Sequence, residues 1–215
     1  MKYLKRIALR FLPLICLSIL ILDGCKKGKS DVTIRGVITD SSFNTPLSGA
    51  SVSLYEIAAG GGVTSLIGQA TLSSDGSYSF TFPRNIAEGY ELFVEKNNYF
   101  SINETIAFSN LTIEEDNILN FSTTALSWAK LRFINLSPQP GDILRYIRNE
   151  GKVDCLECCI GGEHFLYGAV DTTIYCANDG NTIYSYQYYD YATGIQGVRS
   201  ATTTAFDTTE ILLSY

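Results

Sequence analysis

Between Ser77 and Phe82 the chain alternates strictly, with Tyr78, Phe80 and Phe82 on one side and Ser77, Ser79 and Thr81 on the other. A repeat of two is the mark of a strand with one buried and one wet face. The same repeat returns along the chain. Val32, Ile34 and Ile38 follow it, with Gly36 interrupting, and so do Val52 with Leu54, Tyr90 with Leu92 and Val94, and Leu119 with Phe121. Farther on come Leu131 with Phe133, then Ile143, Arg145 and Ile147 opposite Leu144 and Tyr146. Shorter runs at 165–167, 174–176, 183–191 and 211–215 complete the set. Turn signals separate them at Asp75-Gly76, Pro138-Gln139-Pro140-Gly141, Asp179-Gly180 and Thr193-Gly194, because glycine tolerates positive φ and proline pre-sets a turn. No long amphipathic helix is written after residue 24. The expectation is an all-β chain of two β-sandwich domains in tandem, over 31–123 and 125–215, with a short polar joint at Thr123, Thr124 and Ala125.

The first half carries a family likeness. Its residues run Ile34-Arg35-Gly36-Val37-Ile38-Thr39-Asp40, Pro46-Leu47-Ser48-Gly49-Ala50-Ser51-Val52, Asp75-Gly76-Ser77-Tyr78-Ser79-Phe80, Tyr90-Glu91-Leu92-Phe93-Val94 and Asn98-Tyr99. In order and spacing these resemble the carboxypeptidase regulatory-like domain. The resemblance implies a transthyretin-like sandwich of about seven strands. That module is a widespread accessory, so it implies a fold and no particular activity. The second half shows no specific motif, and an immunoglobulin or fibronectin type III topology is the first expectation for it. Trp128, the only tryptophan, is expected in the second core, or else where the two domains meet.

The N-terminus constrains location. Lys2, Lys5, Arg6 and Arg10 precede an uncharged run from Phe11 to Leu22, about half the length a membrane-spanning helix needs. The run ends in Leu22-Asp23-Gly24-Cys25, which resembles the lipobox of bacterial lipoproteins. The resemblance implies a signal peptide over 1–24, cleavage before Cys25 and lipidation (palmitate among the acyl chains) of that cysteine. Residues 25–30 then form a polar tether rich in lysine. Lysines after the cysteine, in place of the acidic residues of some surface-exported lipoproteins, point to the periplasmic side of a Gram-negative outer membrane. Losing the four basic residues and one acidic residue of positions 1–24 leaves 12 basic and 21 acidic residues, a net charge of about −9. Nucleic acid is therefore not an expected partner, since phosphate neutralisation supplies most of that affinity.

Four cysteines remain besides Cys25: Cys155, Cys158, Cys159 and Cys176. In an exported chain an even set reads as disulfides. Two bridges are expected, with neither member of the adjacent pair Cys158 and Cys159 bonding the other. A zinc set of Cys155, Cys158, Cys159, His164 and Cys176 is the competing arrangement. The spacing argues against it, and neither a metal nor a cofactor is expected. The row Tyr184, Tyr186 and Tyr188 is the candidate ligand platform, with Tyr189 and Tyr191 on the opposite side; only one of the two rows can stay free of the core. Catalysis has little to draw on, because His164 is the only histidine and no Gly-x-Ser-x-Gly elbow occurs. The expected function is a non-catalytic binding or scaffolding lipoprotein serving an outer-membrane complex. A carbohydrate-binding accessory to glycan uptake is the alternative, and a hydrolase built on His164 the remote one.

Overall fold

The computed structural model describes residues 31–215 except Gly61 and Val63; Cys25, the signal segment and the tether lie outside the described residues. Strands are almost the only regular elements among the described residues, and no described helix is long and apolar enough to cross a membrane. The strands are β1 (Asp31–Asp40), β2 (Thr45–Pro46), β3 (Ser51–Ala58), β4 (Thr64–Thr71), β5 (Ser77–Pro83), β6 (Ala87–Glu95) and β7 (Ile102–Ala107). A 3-10 turn at Phe108–Asn110 precedes β8 (Asn117–Ile118) and β9 (Phe121–Thr123). Then come β10 (Leu126–Ile134), β11 (Ile143–Glu150), β12 (Glu163–Tyr167), β13 (Asp171–Asp179), β14 (Ile183–Asp190), β15 (Gln196–Thr202) and β16 (Thr208–Ser214).

Two pairs of sheets enclose two hydrophobic clusters. In the first pair, β1 is antiparallel to β5 and β2 and parallel to β8 and β9, and it faces a sheet ordered β4-β3-β6-β7. Val32, Ile34, Ile38, Val52, Leu54, Tyr78, Phe80, Phe82, Tyr90, Leu92 and Val94 meet between them, as the period-two runs require. Gly36 is needed for close approach: a Cβ there would stand 1.7 Å from the Leu119 carbonyl oxygen, where Leu119 donates to the Arg35 carbonyl (2.8 Å). The second pair is ordered β13-β10-β16 and β12-β11-β14-β15. Its core holds Ala129, Leu131, Phe133, Leu144, Tyr146, Cys176, Tyr184, Tyr186, Ile211 and Leu213.

The second pair repeats the strand order of the first. Matching β1, β3, β4, β5, β6, β7 and β9 to β10 through β16 gives the same two sheets, and the last strand of each set runs parallel to the first. This corrects the immunoglobulin or fibronectin expectation. In an immunoglobulin sandwich the first strand pairs with the second, whereas here β10 pairs with β13 and β16 while β11 pairs with β12 and β14. Alternation identifies strands and their buried faces; it does not name their neighbours.

The two sandwiches meet at the far end of β1. Leu126 N–H donates to the Asn98 carbonyl (2.8 Å), Phe100 N–H to the Thr124 carbonyl (3.2 Å), and Asn181 Nδ2 to the Ser42 carbonyl (3.0 Å). Phe206 packs on Phe43 (5.8 Å between centroids) and on Tyr99 (5.3 Å). Tyr99 Oη in turn donates to the buried Asp40 (2.8 Å); burial first, then that carboxylate, pushes the phenol up to about 12. Trp128 belongs to neither expected place: it is half-buried on the outer face of β10, across from Ala177 and Thr208. Its companions on that face, Lys130 and Arg132, pair with Glu210 and Asp171.

Candidate functional site

The connection from β11 to β12, residues 151–162, has no apolar periodicity and no strand of its own, yet it is cross-linked from every side. Gly151 adopts φ 138° and passes so close to Tyr184 that a Cβ would lie 2.6 Å from the ring. Arg148 Nη1 donates to the Lys152 carbonyl (3.0 Å) and the Cys159 carbonyl (2.5 Å), drawing the two limbs together. Lys152 N–H donates to Asn178 Oδ1 (2.8 Å), and Ala177 N–H donates to the Glu157 carbonyl (3.0 Å). Cys155 is bonded to Cys158 and Cys159 to Cys176. Both disulfides thus avoid the adjacent pairing, and the sulfurs of the competing zinc set are consumed by them. The second bridge ties the loop to β13, the edge strand of the opposite sheet.

His164 works for the same loop. A ring nitrogen donates to the Ile160 carbonyl (2.8 Å), and the ring stacks on Tyr146 with centroids 4.9 Å apart. No carboxylate or hydroxyl is among its hydrogen-bond partners in the described residues. The outcome of all this fixing is a rigid tip that holds apolar side chains in water: Leu156 is 95% exposed and Ile160 80%. Val153 is exposed as well (52%), so three aliphatic side chains of one cross-linked segment face solvent.

Beside the tip lies an open cleft of about 910 Å³ between the two sandwiches. One wall is Phe100–Glu104, at the start of β7, and another is Asn120–Thr124, along β9; the loop from Lys152 to Glu157 closes the third side. Lys152 anchors that side, with Nζ 2.7 Å from Asp179 Oδ1 and 4.2 Å above the Phe100 ring. Thr124 Oγ1 donates to the same Asp179 oxygen.

The tyrosine row is a correction. Tyr184 is 1% exposed and Tyr186 0%, both inside the second core, and Tyr188 is half-buried against it beneath Arg199. Burial pushes the Tyr184 hydroxyl up to about 12 and raises Tyr146 and Tyr186 as well. A ligand cannot reach this row. The reason is legible in β14 itself, because the exposed Gln187 shares a face with Tyr189, so the other face had to be the core. The outer face of the same sheet is the aromatic one in solvent. Phe165 and Tyr167 stack 6.3 Å apart on β12, and Tyr189 and Tyr191 meet edge to face at 4.7 Å. Ile143 and Arg145 of β11 lie across from Tyr167 and Phe165, and Arg145 pairs with Glu163 (2.9 Å). The i, i+2 spacing of Phe165 and Tyr167 is the signal in the sequence for their shared face.

No protein-family model and no curated protein matches the chain. Among solved structures it is similar to the Bacillus anthracis TIE protein, with 14% identity, a TM-score of 0.37, and coverage of 86% of this chain and 34% of that one. It is also similar to the shaft pilin SpaA of Lactobacillus rhamnosus GG (11% identity, TM-score 0.35, covering 86% and 97%). A third is GBS52, the minor pilin of Streptococcus agalactiae (11% identity, TM-score 0.34, covering 85% and 94%).

Proposed function

We propose that this chain is a non-catalytic binding or scaffolding lipoprotein, held by acyl chains on Cys25 to the outer membrane of a Gram-negative cell, its first sandwich being a carboxypeptidase regulatory-like domain. The observation that carries the reading is the cross-linked tip with Leu156 and Ile160 in solvent beside an open cleft. Two disulfides and the only histidine are spent on holding that tip; a hydrolase would need the histidine elsewhere. The tether enters at Asp31, and the joint lies beyond Asp40. A strand of 10 residues puts about 30 Å between those points. The cleft and tip therefore stand on the membrane-distal side of the first sandwich.

Fractionation tests the anchor, with the wild type expected in the membrane fraction and Cys25→Ala in the soluble fraction; retention of the variant would refute it. Complementation of a deletion strain tests the binding half. His164→Gln should complement and Leu156→Asp should not, and the opposite pattern would favour catalysis.

A second reading rests on a separate observation, the exposed aromatic pairs of the outer sheet face. Such rings stack on sugar faces, and Arg145, Glu163 and Gln187 supply hydrogen bonds beside them. This is the carbohydrate-binding accessory role, on the face opposite Tyr184 and Tyr186. Tyr167→Ala with Tyr191→Ala should abolish retardation of the protein in polysaccharide gels; unchanged migration of wild type in every gel tried would remove this reading.

A further inference from the structure

We propose that the cleft binds an extended, basic segment of a partner protein, which adds as a strand to the free edge of β7. The inference deepens the binding reading above and rests on it. Three observations carry it. First, β7 ends its sheet, pairing with β6 alone. Antiparallel pairing turns the backbone N–H and C=O groups of alternate residues away from the neighbour. Among the described residues nothing from the rest of the fold bonds to that outward edge between Ile102 and Ala107. An edge strand of 6 residues with unpaired backbone groups is a template for strand addition.

Second, the edge opens into the cleft. Ile102, Asn103 and Glu104 line it, and β9, itself paired only with β1, forms the facing wall. The two sheets of the first sandwich come together where Thr123 Oγ1 donates to the Phe100 carbonyl (2.5 Å), and the cleft opens beyond that point. Leu156 and Phe100 give it an apolar side.

Third, the charges choose the occupant. Glu104, Asp154 and Glu157 line the cleft, are exposed, and have no ion pair among the described residues. Among the described residues the one cation on the lining, Lys152, is already engaged by Asp179. A strand entering here meets carboxylates on one side and aliphatic surface on the other. Since side chains alternate along a strand, the fitting sequence alternates Lys or Arg with apolar residues. A second copy of this chain, with a net charge of about −9 once residues 1–24 are removed, is repelled by the same carboxylates. Lysines and carboxylates also give the encounter a salt dependence that plain apolar docking lacks.

The test uses the full chain in detergent micelles and a fluorescent alternating Lys/Val peptide, read by anisotropy. Two further peptides are compared, a Glu/Val counterpart and the Lys/Val peptide N-methylated at alternate backbone nitrogens. The Lys/Val peptide should bind, the Glu/Val peptide should not, and N-methylation should weaken binding by at least about tenfold, because strand addition needs the peptide N–H groups. Combined Glu104→Lys, Asp154→Lys and Glu157→Lys should also cost at least about tenfold, while Glu115→Lys, exposed in the loop before β8, should cost nothing. Equal binding of the N-methylated peptide would overturn strand addition, and equal binding of the Glu/Val peptide would overturn the charge argument. Neither peptide comparison depends on a variant folding. Cys25→Ala should bind the Lys/Val peptide as tightly as wild type, so failure of the anchor reading and failure of this one are told apart.

Discussion

The two disulfides should differ in worth, and the difference can be worked from the chain. Cys159–Cys176 joins residues with a sequence separation of 17; loop-closure entropy for that length is roughly 10 cal/mol/K, or about 3 kcal/mol at 25 °C. Cys155–Cys158 has a separation of only 3, which gives about 2 kcal/mol. Packing widens the gap, because Cys176 is fully buried in the second core and Cys159 packs against it, so Cys159→Ala with Cys176→Ala also removes core contacts. Trp128 is the only tryptophan and sits in β10, so its fluorescence in guanidinium follows the second sandwich alone. The pair Cys159→Ala/Cys176→Ala should lose about 3 kcal/mol or more, and Cys155→Ala/Cys158→Ala about 2 or less. The reasoning would be refuted by a reversed order. It would also fail if neither pair lost stability, since that would mean Arg148, Asn178 and His164 hold the loop without help from the sulfurs.

Other outcomes follow from single sites. Gly36→Ala should cost on the order of 3 kcal/mol, because its Cβ has no room beside Leu119; denaturation followed by far-UV circular dichroism should show the loss in the first sandwich. Tyr186 Oη is buried and has no hydrogen-bond partner among the described residues, so Tyr186→Phe should gain about 1 kcal/mol. A loss there would mean that a buried water serves the hydroxyl. Asp75 is held down to about 2, chiefly by the Ser73 hydroxyl (2.5 Å) and then by Ser77. A carboxyl with a lowered folded pKa stabilises the fold above its ordinary value near 3.8. That contribution fades as pH falls toward about 2. An NMR titration of Asp75 should show the low midpoint, and Ser73→Ala should raise it.

Much of the fold was legible because burial imposes a repeat of two. Tyr78, Phe80 and Phe82 needed only their serine and threonine neighbours to be assigned to a core. Trp128 was legible too, because Lys130 and Arg132, two charges on one side of β10, make that side the outer one. In β14 tyrosines occupy both faces, so residue type carried no polarity, and only Gln187 distinguished wet from dry, Ser185 being buried itself. The pairing of the cysteines was legible only in part, since two of the three connectivities avoid the adjacent pair and spacing does not choose between them. The cleft was beyond reach for a different reason. Its walls come from residues 100–104, 120–124 and 152–157, and no local pattern joins segments so far apart. Strand order failed likewise, because alternation is satisfied by any neighbour that buries the same face.

Intact mass of the protein extracted from its native membrane, before and after reduction, tests the central claim of an anchored, doubly cross-linked binding module most directly. The account predicts a chain beginning at Cys25 that carries a diacyl- or triacylglyceryl group and gains about 4 Da on reduction, two hydrogens for each disulfide. A chain without lipid, or one that gains no mass on reduction and carries zinc on its cysteines, would contradict it.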